Sequence, residues 1–363
     1  MREESLLLVA LNLIPDLGSV KIRSLAEKFK NINEFMKADA GDFLEIPGIG
    51  KKLCETIITH RSKINPHMEF EKASRQNVDI VTLLDEAYPE SLKEIYDPPP
   101  VLYIKGNKSV LNNKAIAIVG SRKSSTYGRR VAMSFAKELA LMNINIVSGM
   151  ARGIDSFAHK GAIEAGGPTT AVFGCGIDVV YPPENEALMQ KIMECGCIIS
   201  SFPFGTGPLP GNFPARNRII SGLALGTLVV EAAEKSGSLI TADFSLEQGR
   251  EVFAIPGNIF SPYSRGTHKL IKQGAKLVES VKDILDELYL EMPNNINKGE
   301  KIDDGNLTAN ERSIFELIDY HPIQIEELIS KSKIDSKKVN AILTRLELKG
   351  LIVALPGGYY VKN

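Results

Sequence analysis

Six short apolar runs rich in β-branched residues recur every 20 to 30 residues in the middle of this chain, with helical patterns between them. Because the runs are continuously apolar rather than alternating, they are typical of strands buried on both faces of a sheet. Strand and helix in alternation predict an α/β fold with a doubly wound, mostly parallel sheet. The six predicted strands begin at Ala115, Ile144, Thr169, Cys197, Thr227 and Glu251.

The first 70 residues show a different pattern, that of short helices joined by tight turns. Ile14–Gly18 is matched 32 positions later by Ile46–Gly50, and each copy precedes a helical pattern. The second copy has the helix-hairpin-helix form, in which two glycines permit a tight turn whose amides can hold a phosphate at a helix N-terminus. Asp16 replaces the first glycine in the first copy and would repel a phosphate. The predicted domain is thus a small SAM-like, helix-hairpin-helix domain, and the alternative is a compact helical turn module used for protein contacts.

The C-terminal residues predict a winged helix. Thr308 and Glu311 form a capping box, and three helical patterns are followed by two short strands about a Pro-Gly-Gly turn. An acidic stretch that precedes them is typical of a solvated linker. The predicted domains are therefore a helical module at 1–70, an α/β domain at 71–290, a linker at 291–306 and a winged helix at 307–363.

The charge of the chain is unevenly distributed. Its 363 residues include 43 Lys and Arg against 44 Asp and Glu, and the net charge of -1 argues against a globally basic nucleic-acid-binding protein. Between Gly106 and Lys160, however, nine basic residues face only two acidic ones, a local charge of +7. A near-neutral total can hide one strongly positive surface.

Four cysteines are too few and too unevenly placed for a disulfide framework, and they lack the paired spacing of a zinc site. We therefore expect no metal, inert core thiols at Cys195 and Cys197, and a reducing cytoplasmic location. No charged-then-apolar leader is recognisable. The apolar run near the start is broken by Pro15 and is shorter than the ~20 residues that a membrane helix needs, so no membrane association is expected.

Ligands of doubly wound sheets bind outside the carboxyl ends of the strands. The segments that follow five of the predicted strands are rich in glycine, hydroxyl and arginine side chains, a combination that suits phosphate groups. None has the spacing of a dinucleotide fingerprint or a P-loop, so no cofactor is expected. The five segments lie at 120–125, 148–155, 174–182, 212–218 and 236–238.

The sequence offers few candidates for catalysis. Asp155 and His159 lie one helical turn apart and could form an acid–base pair. An aspartate at a helix start is more often a cap, however, and a histidine one turn later more often packs in the core. No nucleophile elbow is identified, so we expect no catalytic residue and a protein that is not an enzyme.

The segments, taken in order, resemble the DprA (Smf) family of DNA-processing proteins over about residues 75–360. The resemblance implies an extended Rossmann-like domain that binds single-stranded DNA, forms a homodimer and loads RecA recombinase on incoming strands during natural transformation. The family is not known as an enzyme. The matching segments are GSRKSSTYG from Gly120, SGMARGID from Ser148, FGCGIDVVYPPEN from Phe173, FPARNRIISGL from Phe213, VVEAAEKSGSLITA from Val229 and VFAIPGN from Val252.

Carried across residue by residue, the resemblance places strand binding at three segments, 120–122, 213–218 and 236–238. Arginines and turn amides would hold successive phosphates, and Phe213 would stack a base, worth ~1 to 3 kcal/mol. The full set of expected DNA-binding residues is Gly120, Ser121, Arg122, Lys123, Arg152, Phe213, Arg216, Asn217, Arg218, Ser236, Gly237 and Ser238.

Two positions depart from the family pattern. Ser201 and Phe202 follow Ser200 where the family usually shows a Ser-Glu pair, which puts a local hydrogen bond in doubt. Pro183 stands where many members carry a lysine, which removes one possible phosphate contact. Neither departure removes the arginines.

Two other functions are compatible with parts of the sequence. A Rossmann-like nucleotide hydrolase would resemble its class through a PGGxGT motif followed by a glutamate, whereas here Glu231 precedes the 236–238 loop. A regulator of duplex DNA would use the predicted third helix of the winged helix, Ser336–Lys349, which carries three lysines and an arginine. Alternatively that helix packs its apolar residues inward and leaves its lysines solvated.

Overall fold

The structure, a computed structural model, describes residues 3–291, 307–319 and 322–362. The chain divides into two compact units, 1–293 and 294–363. The predicted acidic linker at 291–306, apart from Glu291, lies outside the described residues. Within the described residues, no helix is both long and apolar enough to cross a membrane.

Six helices form the N-terminal module of the first unit. Helices α2 and α5 begin 32 residues apart, each directly after a glycine, which confirms the repeated turn. Asp16 (φ 62°) and Gly48 (φ 83°) occupy the equivalent left-handed position, which aspartate tolerates better than most residues. The helices are α1 (Glu3–Asn12), α2 (Ser19–Lys28), α3 (Ile32–Lys37), α4 (Ala40–Leu44), α5 (Lys51–Arg61) and α6 (Pro66–Arg75).

A nine-stranded sheet follows, in the order β1-β2-β6-β5-β4-β3-β7-β8-β9. From β6 to β9 every neighbouring pair is parallel, and β2 alone runs antiparallel to its neighbours β1 and β6. The strands are β1 (Asp79–Thr82), β2 (Val101–Gly106), β3 (Ala115–Val119), β4 (Asn145–Ser148), β5 (Thr169–Phe173), β6 (Cys197–Ser200), β7 (Gly226–Val229), β8 (Glu251–Ala254) and β9 (Lys276–Leu277).

Helices cover both faces of this sheet and confirm the predicted doubly wound, mostly parallel α/β fold. Ile116 and Ile118 of β3 pack with α8, α9 and α14, whereas Ala117 and Val119 pack on the opposite face with α11 and α12. The helices are α7 (Glu90–Lys93), α8 (Thr126–Leu141), α9 (Ile154–Glu164), α10 (Glu186–Cys195), α11 (Asn212–Leu223), α12 (Gly237–Glu247), α13 (Arg265–Lys272) and α14 (Val281–Glu287).

The direction of strand addition reverses at β3. From β3 the chain adds β4, β5 and β6 on one side, and it then returns to add β7, β8 and β9 on the other. Loops that leave the carboxyl ends of β3 and β7 therefore diverge and open a crevice, the position at which doubly wound sheets bind ligands.

One segment differs from the sequence-based expectation. Residues 212–218 were expected to end a long Pro- and Gly-rich segment, but they form the first turns of α11. Pro214 is compatible with a helix here because it lies in the first turn, where its missing amide hydrogen has no intrahelical partner. The helical spacing separates Arg216 from Arg218, with consequences described below.

The helical module packs directly on the α/β domain. Glu69 of α6 is 3% exposed, and its Oε1 accepts hydrogen bonds from the Tyr103 hydroxyl at 3.1 Å and the Phe204 amide at 2.9 Å. Asn12 donates to the Ser201 carbonyl at 3.2 Å. Because the buried Glu69 carboxylate of the helical module takes its hydrogen bonds from the α/β domain, it holds the module and the domain together.

The second unit has the predicted winged-helix form. Its Thr308–Glu311 capping box is present, and a three-stranded sheet in the order β10-β12-β11 accompanies three helices. Four apolar residues of the third helix are buried, whereas Lys337 and Lys338 are exposed. The elements are α15 (Ala309–Leu317), β10 (Ile323–Gln324), α16 (Ile325–Ser332), α17 (Ser336–Leu348), β11 (Ile352–Leu355) and β12 (Tyr359–Lys362).

Candidate nucleic-acid interface

A small pocket lies at the carboxyl ends of β3, β4 and β5, against the start of α11. Four of the expected DNA-binding residues, contributed by three separate segments, line it together: Arg122, Arg152, Phe213 and Arg216. The remaining lining residues are Gly149, Ala151, Phe173, Gly174, Cys175, Tyr181 and Pro182.

The ring of Phe213 lies at the centre of this pocket. The Arg122 guanidinium lies 5.3 Å from the ring centroid, the Arg216 guanidinium 5.8 Å, and the Tyr181 ring 5.6 Å at an angle of 44°. A Cβ atom on Gly174 would come within 2.9 Å of the ring, so the close approach requires glycine at the end of β5. The pocket therefore combines an aromatic surface with two cations.

Arg216 supports the pocket from below. Its side chain is 4% exposed, and its Nη1 donates to the carbonyls of Gly149, at 2.7 Å, and of Val172. A Cβ atom on Gly149 would lie 2.6 Å from the guanidinium, so this glycine leaves room for it. Arg216 was expected to contact DNA, but its burial assigns it instead to holding the loops after β4 and β5.

The charge of Arg216 is balanced inside the protein. Asp155, 6% exposed, accepts hydrogen bonds from the Gly149 amide at 3.1 Å and the Ala151 amide at 3.4 Å. Burial raises the pKa of Asp155, and the positive charge of Arg216 opposes that rise. Burial lowers the pKa of Arg216 to about 10. Both side chains serve the same loops, so Asp155 orders the pocket structurally.

Arg122 and Lys123, by contrast, are exposed at the rim. Their turn is held by the Ser121 amide, which donates to the Glu231 carbonyl at 2.7 Å, and by the Ser121 hydroxyl, which donates to the Lys123 carbonyl at 3.1 Å. Among the described residues, no carboxylate lies within ion-pair distance of Arg122. An exposed guanidinium without an ion-pair partner is well suited to bind a phosphate.

Arg152 has a partner at the same rim. Its guanidinium forms an ion pair with Glu184, which directly follows Pro183, and both side chains are about half exposed, at 54% and 50%. Because solvent screens an exposed pair of this kind, the pair is weak, and a phosphate can displace the carboxylate at low cost.

The 236–238 segment lies beside α11. Ser236 caps α12 by accepting the Ser238 amide, and the Asn217 side chain donates to the Gly237 carbonyl at 3.3 Å. The structure therefore brings Asn217 and this loop together, next to the pocket but outside its lining.

Arg218 corrects one sequence-based expectation. Two residues along a helix turn the side chain through about 200°, so Arg218 points away from Arg216. Its guanidinium pairs with Asp97 and donates to the Ser19 hydroxyl at 2.8 Å, and its side chain is 11% exposed. It fastens the helical module to the α/β domain and offers no free cation to a strand.

The sequence argument missed Tyr181 as a member of the site. The segment that contains it was noted, but nothing in its local pattern shows that the ring meets Phe213 from another loop. Among the described residues, no three His, Cys, Asp or Glu side chains are grouped so as to hold a metal ion.

His159 lies beneath the same loops and is fully buried. Its Nδ1 is 2.7 Å from the Thr169 hydroxyl, whereas the Asp155 carboxylate accepts backbone amides, so the two do not form an acid–base pair. Burial, followed by the charge of Arg216, lowers the pKa of His159 to about 3.

This histidine makes stability dependent on pH. Because its folded pKa lies below the unfolded value of ~6.5, the unfolded state binds the additional proton, and stability falls as pH drops below ~6.5. We expect a loss of about 1.4 kcal/mol between pH 7.5 and pH 5.5, measured by urea unfolding. His159→Gln cannot ionise and should lack this component; Asp155 titrates in both proteins, so the difference isolates His159. Equal pH dependence in the two proteins would contradict the assignment.

The fold and the pocket define a class of protein: a doubly wound α/β domain with a cationic, aromatic site at its switch point, in one chain with a helix-hairpin-helix module and a winged helix. A family model described as DNA recombination-mediator protein A matches residues 79–289. The DprA winged helix domain matches residues 303–358, and a SAM-like helix-hairpin-helix tandem matches residues 9–61. The chain belongs to the DprA (Smf) family of DNA-processing proteins.

Curated relatives and solved structures agree with this assignment. Protein Smf of Synechocystis sp. is 32% identical, with 96% of each chain covered, and protein Smf of Escherichia coli is 40% identical over 78% of this chain and 77% of the relative. DprA of Streptococcus pneumoniae superposes with a TM-score of 0.67 at 36% identity, covering 81% of this chain and 99% of that one. DprA of Helicobacter pylori, a structure described for its single-stranded DNA binding mode, gives a TM-score of 0.53 at 29% identity over 58% of this chain and 96% of that one.

Proposed function

We propose that this protein binds single-stranded DNA along the carboxyl edge of its sheet and mediates the loading of RecA recombinase on incoming strands during natural transformation. The observation that carries the proposal is Arg122. It is exposed at the switch point of the sheet, it lies over the Phe213 ring, and no carboxylate among the described residues lies within ion-pair distance of it.

The pocket favours a strand over a small ligand. Its enclosed volume is only about 10 Å³, enough for a water-sized group but not for a base or a sugar. A ligand must therefore lie across the rim, with phosphates on Arg122, Lys123 and the neighbouring amides and a base against the aromatic pair. Such contacts read the backbone and the π-face of any base, so binding should be independent of sequence.

A hydrolase is not favoured by the position of Glu231. This side chain is 4% exposed, and its carboxylate accepts hydrogen bonds from both the amide and the hydroxyl of Ser125 at the start of α8. A Cβ atom on Gly128 would come within 2.3 Å of that carboxylate, so it is packed tightly against the helix. Glu231 fixes the loop after β3 and is not available as a base toward the pocket.

The family membership supports the two remaining parts of the proposal. Mediation of recombination is the property named by the matching family model. We also propose a homodimer formed through the α/β domain, since strand β9 pairs on one side only among the strands that the structure describes and leaves a sheet edge for a second copy.

Salt titration of Arg122→Gln tests the proposal. Fluorescence anisotropy with an oligothymidine of about 16 nucleotides should show about tenfold weaker binding at low salt and a log–log salt slope smaller by about 0.7, the value for one phosphate on a single strand. The matched control is Lys114→Gln, which removes an exposed charge just before β3, at the opposite edge of the sheet. If Arg122→Gln and the control bind alike, the proposed site is wrong.

A second experiment tests the mediator role. RecA activity on strands covered by a single-strand binding protein should rise when the natural protein is added, and it should rise less when Arg122→Gln is added.

A further inference from the structure

A second group of cations lies beside the pocket, on the first turns of α8 and α9. The Arg129 guanidinium is 5.6 Å from the centroid of the Phe157 ring, and the Lys160 ammonium is 4.8 Å from it. Both cations are exposed and Phe157 is partly buried. We call Arg129, Phe157 and Lys160 the second cationic patch. None of the three was among the residues expected to bind DNA.

The charges of this patch are held in place without being cancelled. Among the described residues, no carboxylate lies within ion-pair distance of Arg129 or Lys160, whereas Arg152 and Arg218 each have an acidic partner. An aromatic face attracts a cation through its quadrupole and carries no net charge of its own. Phe157 therefore orients two positive charges that remain available to an anion.

The patch is continuous with the Arg122 site. The Arg129 Nε donates to the Ser124 hydroxyl at 3.2 Å, in the same loop as Arg122. The backbone of Gly153 packs against the Ser121 and Arg122 carbonyls. Phe157 lies one helical turn after Gly153, and its amide donates to the Gly153 carbonyl at 3.2 Å. A polyanion that binds Arg122 and continues toward α8 and α9 therefore reaches the second cationic patch.

The patch repeats the chemistry of the pocket. In the pocket, the guanidiniums of Arg122 and Arg216 lie within 6 Å of the Phe213 ring centroid, and in the patch one guanidinium and one ammonium lie within 6 Å of the Phe157 ring centroid. Arg216 is buried, so the pocket offers one exposed cation over its ring, whereas the patch offers two.

We propose that the second cationic patch is a phosphate-binding subsite for the same single strand, which passes from Arg122 across the N-terminal turns of α8 and α9. Arg129 and Lys160 bind phosphates, and Phe157 is a positioning residue that holds them. This inference rests on the proposed single-strand binding and assigns the path that the strand takes. An acidic protein segment is the competing occupant and is an outcome of the test.

Strand length separates the two subsites. Arg129→Gln with Lys160→Gln should leave binding of an oligothymidine of about 4 nucleotides unchanged and weaken binding of one of about 16 nucleotides roughly tenfold, with a salt slope smaller by about 1.4 for two lost phosphates. The matched control is Lys114→Gln with Lys137→Gln, which removes the same charge from the opposite edge of the sheet and from a position about 12 Å further along α8. Both cations of the test pair are exposed, so folding should be unaffected.

The outcomes are distinguishable from failure of the proposed function. Arg122→Gln should weaken binding of both strand lengths; if it weakens neither, the proposed function fails at its own site. If Arg122→Gln weakens binding but the Arg129/Lys160 variant binds the long strand as tightly as the control does, the second subsite is overturned, and an acidic protein partner becomes the occupant of the patch.

Phe157→Tyr should retain long-strand binding. Phe157→Leu keeps the apolar packing without the aromatic face, and it should raise the logarithm of the Kd for the long strand by about half as much as the double variant does. Equal binding by the two Phe157 variants would refute the positioning role.

Discussion

Arg216→Ala is expected to lower the free energy of unfolding by about 3 to 5 kcal/mol, the usual cost of leaving a buried charge uncompensated. The guanidinium is 4% exposed and satisfies the carbonyls of Gly149 and Val172. Without it, both carbonyls lose their donor, and the buried carboxylate of Asp155 loses the positive charge that opposes its desolvation. Urea unfolding followed by circular dichroism at pH 7.5 gives the value directly.

The matched control is Arg122→Ala, which removes the other guanidinium over the Phe213 ring. Arg122 is exposed and without a counter-charge among the described residues, so its removal should change stability by less than about 0.5 kcal/mol. Arg216→Lys keeps the charge but lacks the planar guanidinium whose Nη1 reaches both carbonyls, and its stability should fall between those of the two alanine variants. If Arg216→Ala is as stable as Arg122→Ala, Arg216 is not the support that its burial indicates.

Phe213→Ala is expected to weaken binding of oligothymidine about thirtyfold, or about 2 kcal/mol, the middle of the range for one base on an aromatic side chain. The substitution removes the surface for the base and also the ring beneath Arg122. Because no charge is lost, the salt slope should change little, unlike the effect of Arg122→Gln. The two substitutions therefore separate stacking from phosphate binding in one titration series.

Phe213→Tyr serves as the control, since it retains an aromatic ring beside Tyr181 and Arg122. We expect its affinity to lie within about threefold of that of the natural protein, because the π-face that stacks a base is kept. Binding by Phe213→Ala at the natural level, with an unchanged unfolding midpoint, would show that the strand does not cross this ring.

The sheet was predictable because its signal is local. A strand buried on both faces must be apolar at every position, and six such runs are visible without any knowledge of their partners. The repeated turn at Asp16 and Gly48 and the Thr308 capping box are likewise encoded within a few residues. The two-residue strand β9 has too short a pattern to be recognised and exists only through its pairing with β8.

The site was predictable in part. The sequence indicated the segments that meet at the sheet edge, but it did not distinguish the arginines within them. Arg216 and Arg218 are two residues apart in a segment expected to be irregular; the helix turns one beneath the pocket and the other toward Asp97 and Ser19. Which of them faces a strand depends on helix phase and on partners far away in the chain.

By itself, the sequence determined the class of fold, the edge at which chemistry is concentrated and the excess of positive charge between Gly106 and Lys160, because each depends on the order of residue types along the chain. Only the tertiary structure decided which basic side chains of the α/β domain are free. Arg152, Arg216 and Arg218 are paired or buried, whereas Arg122, Arg129 and Lys160 rest on aromatic rings without a counter-charge among the described residues. The physical reason is that the availability of a charge depends on its neighbours in space, which are contributed by segments that the sequence keeps apart.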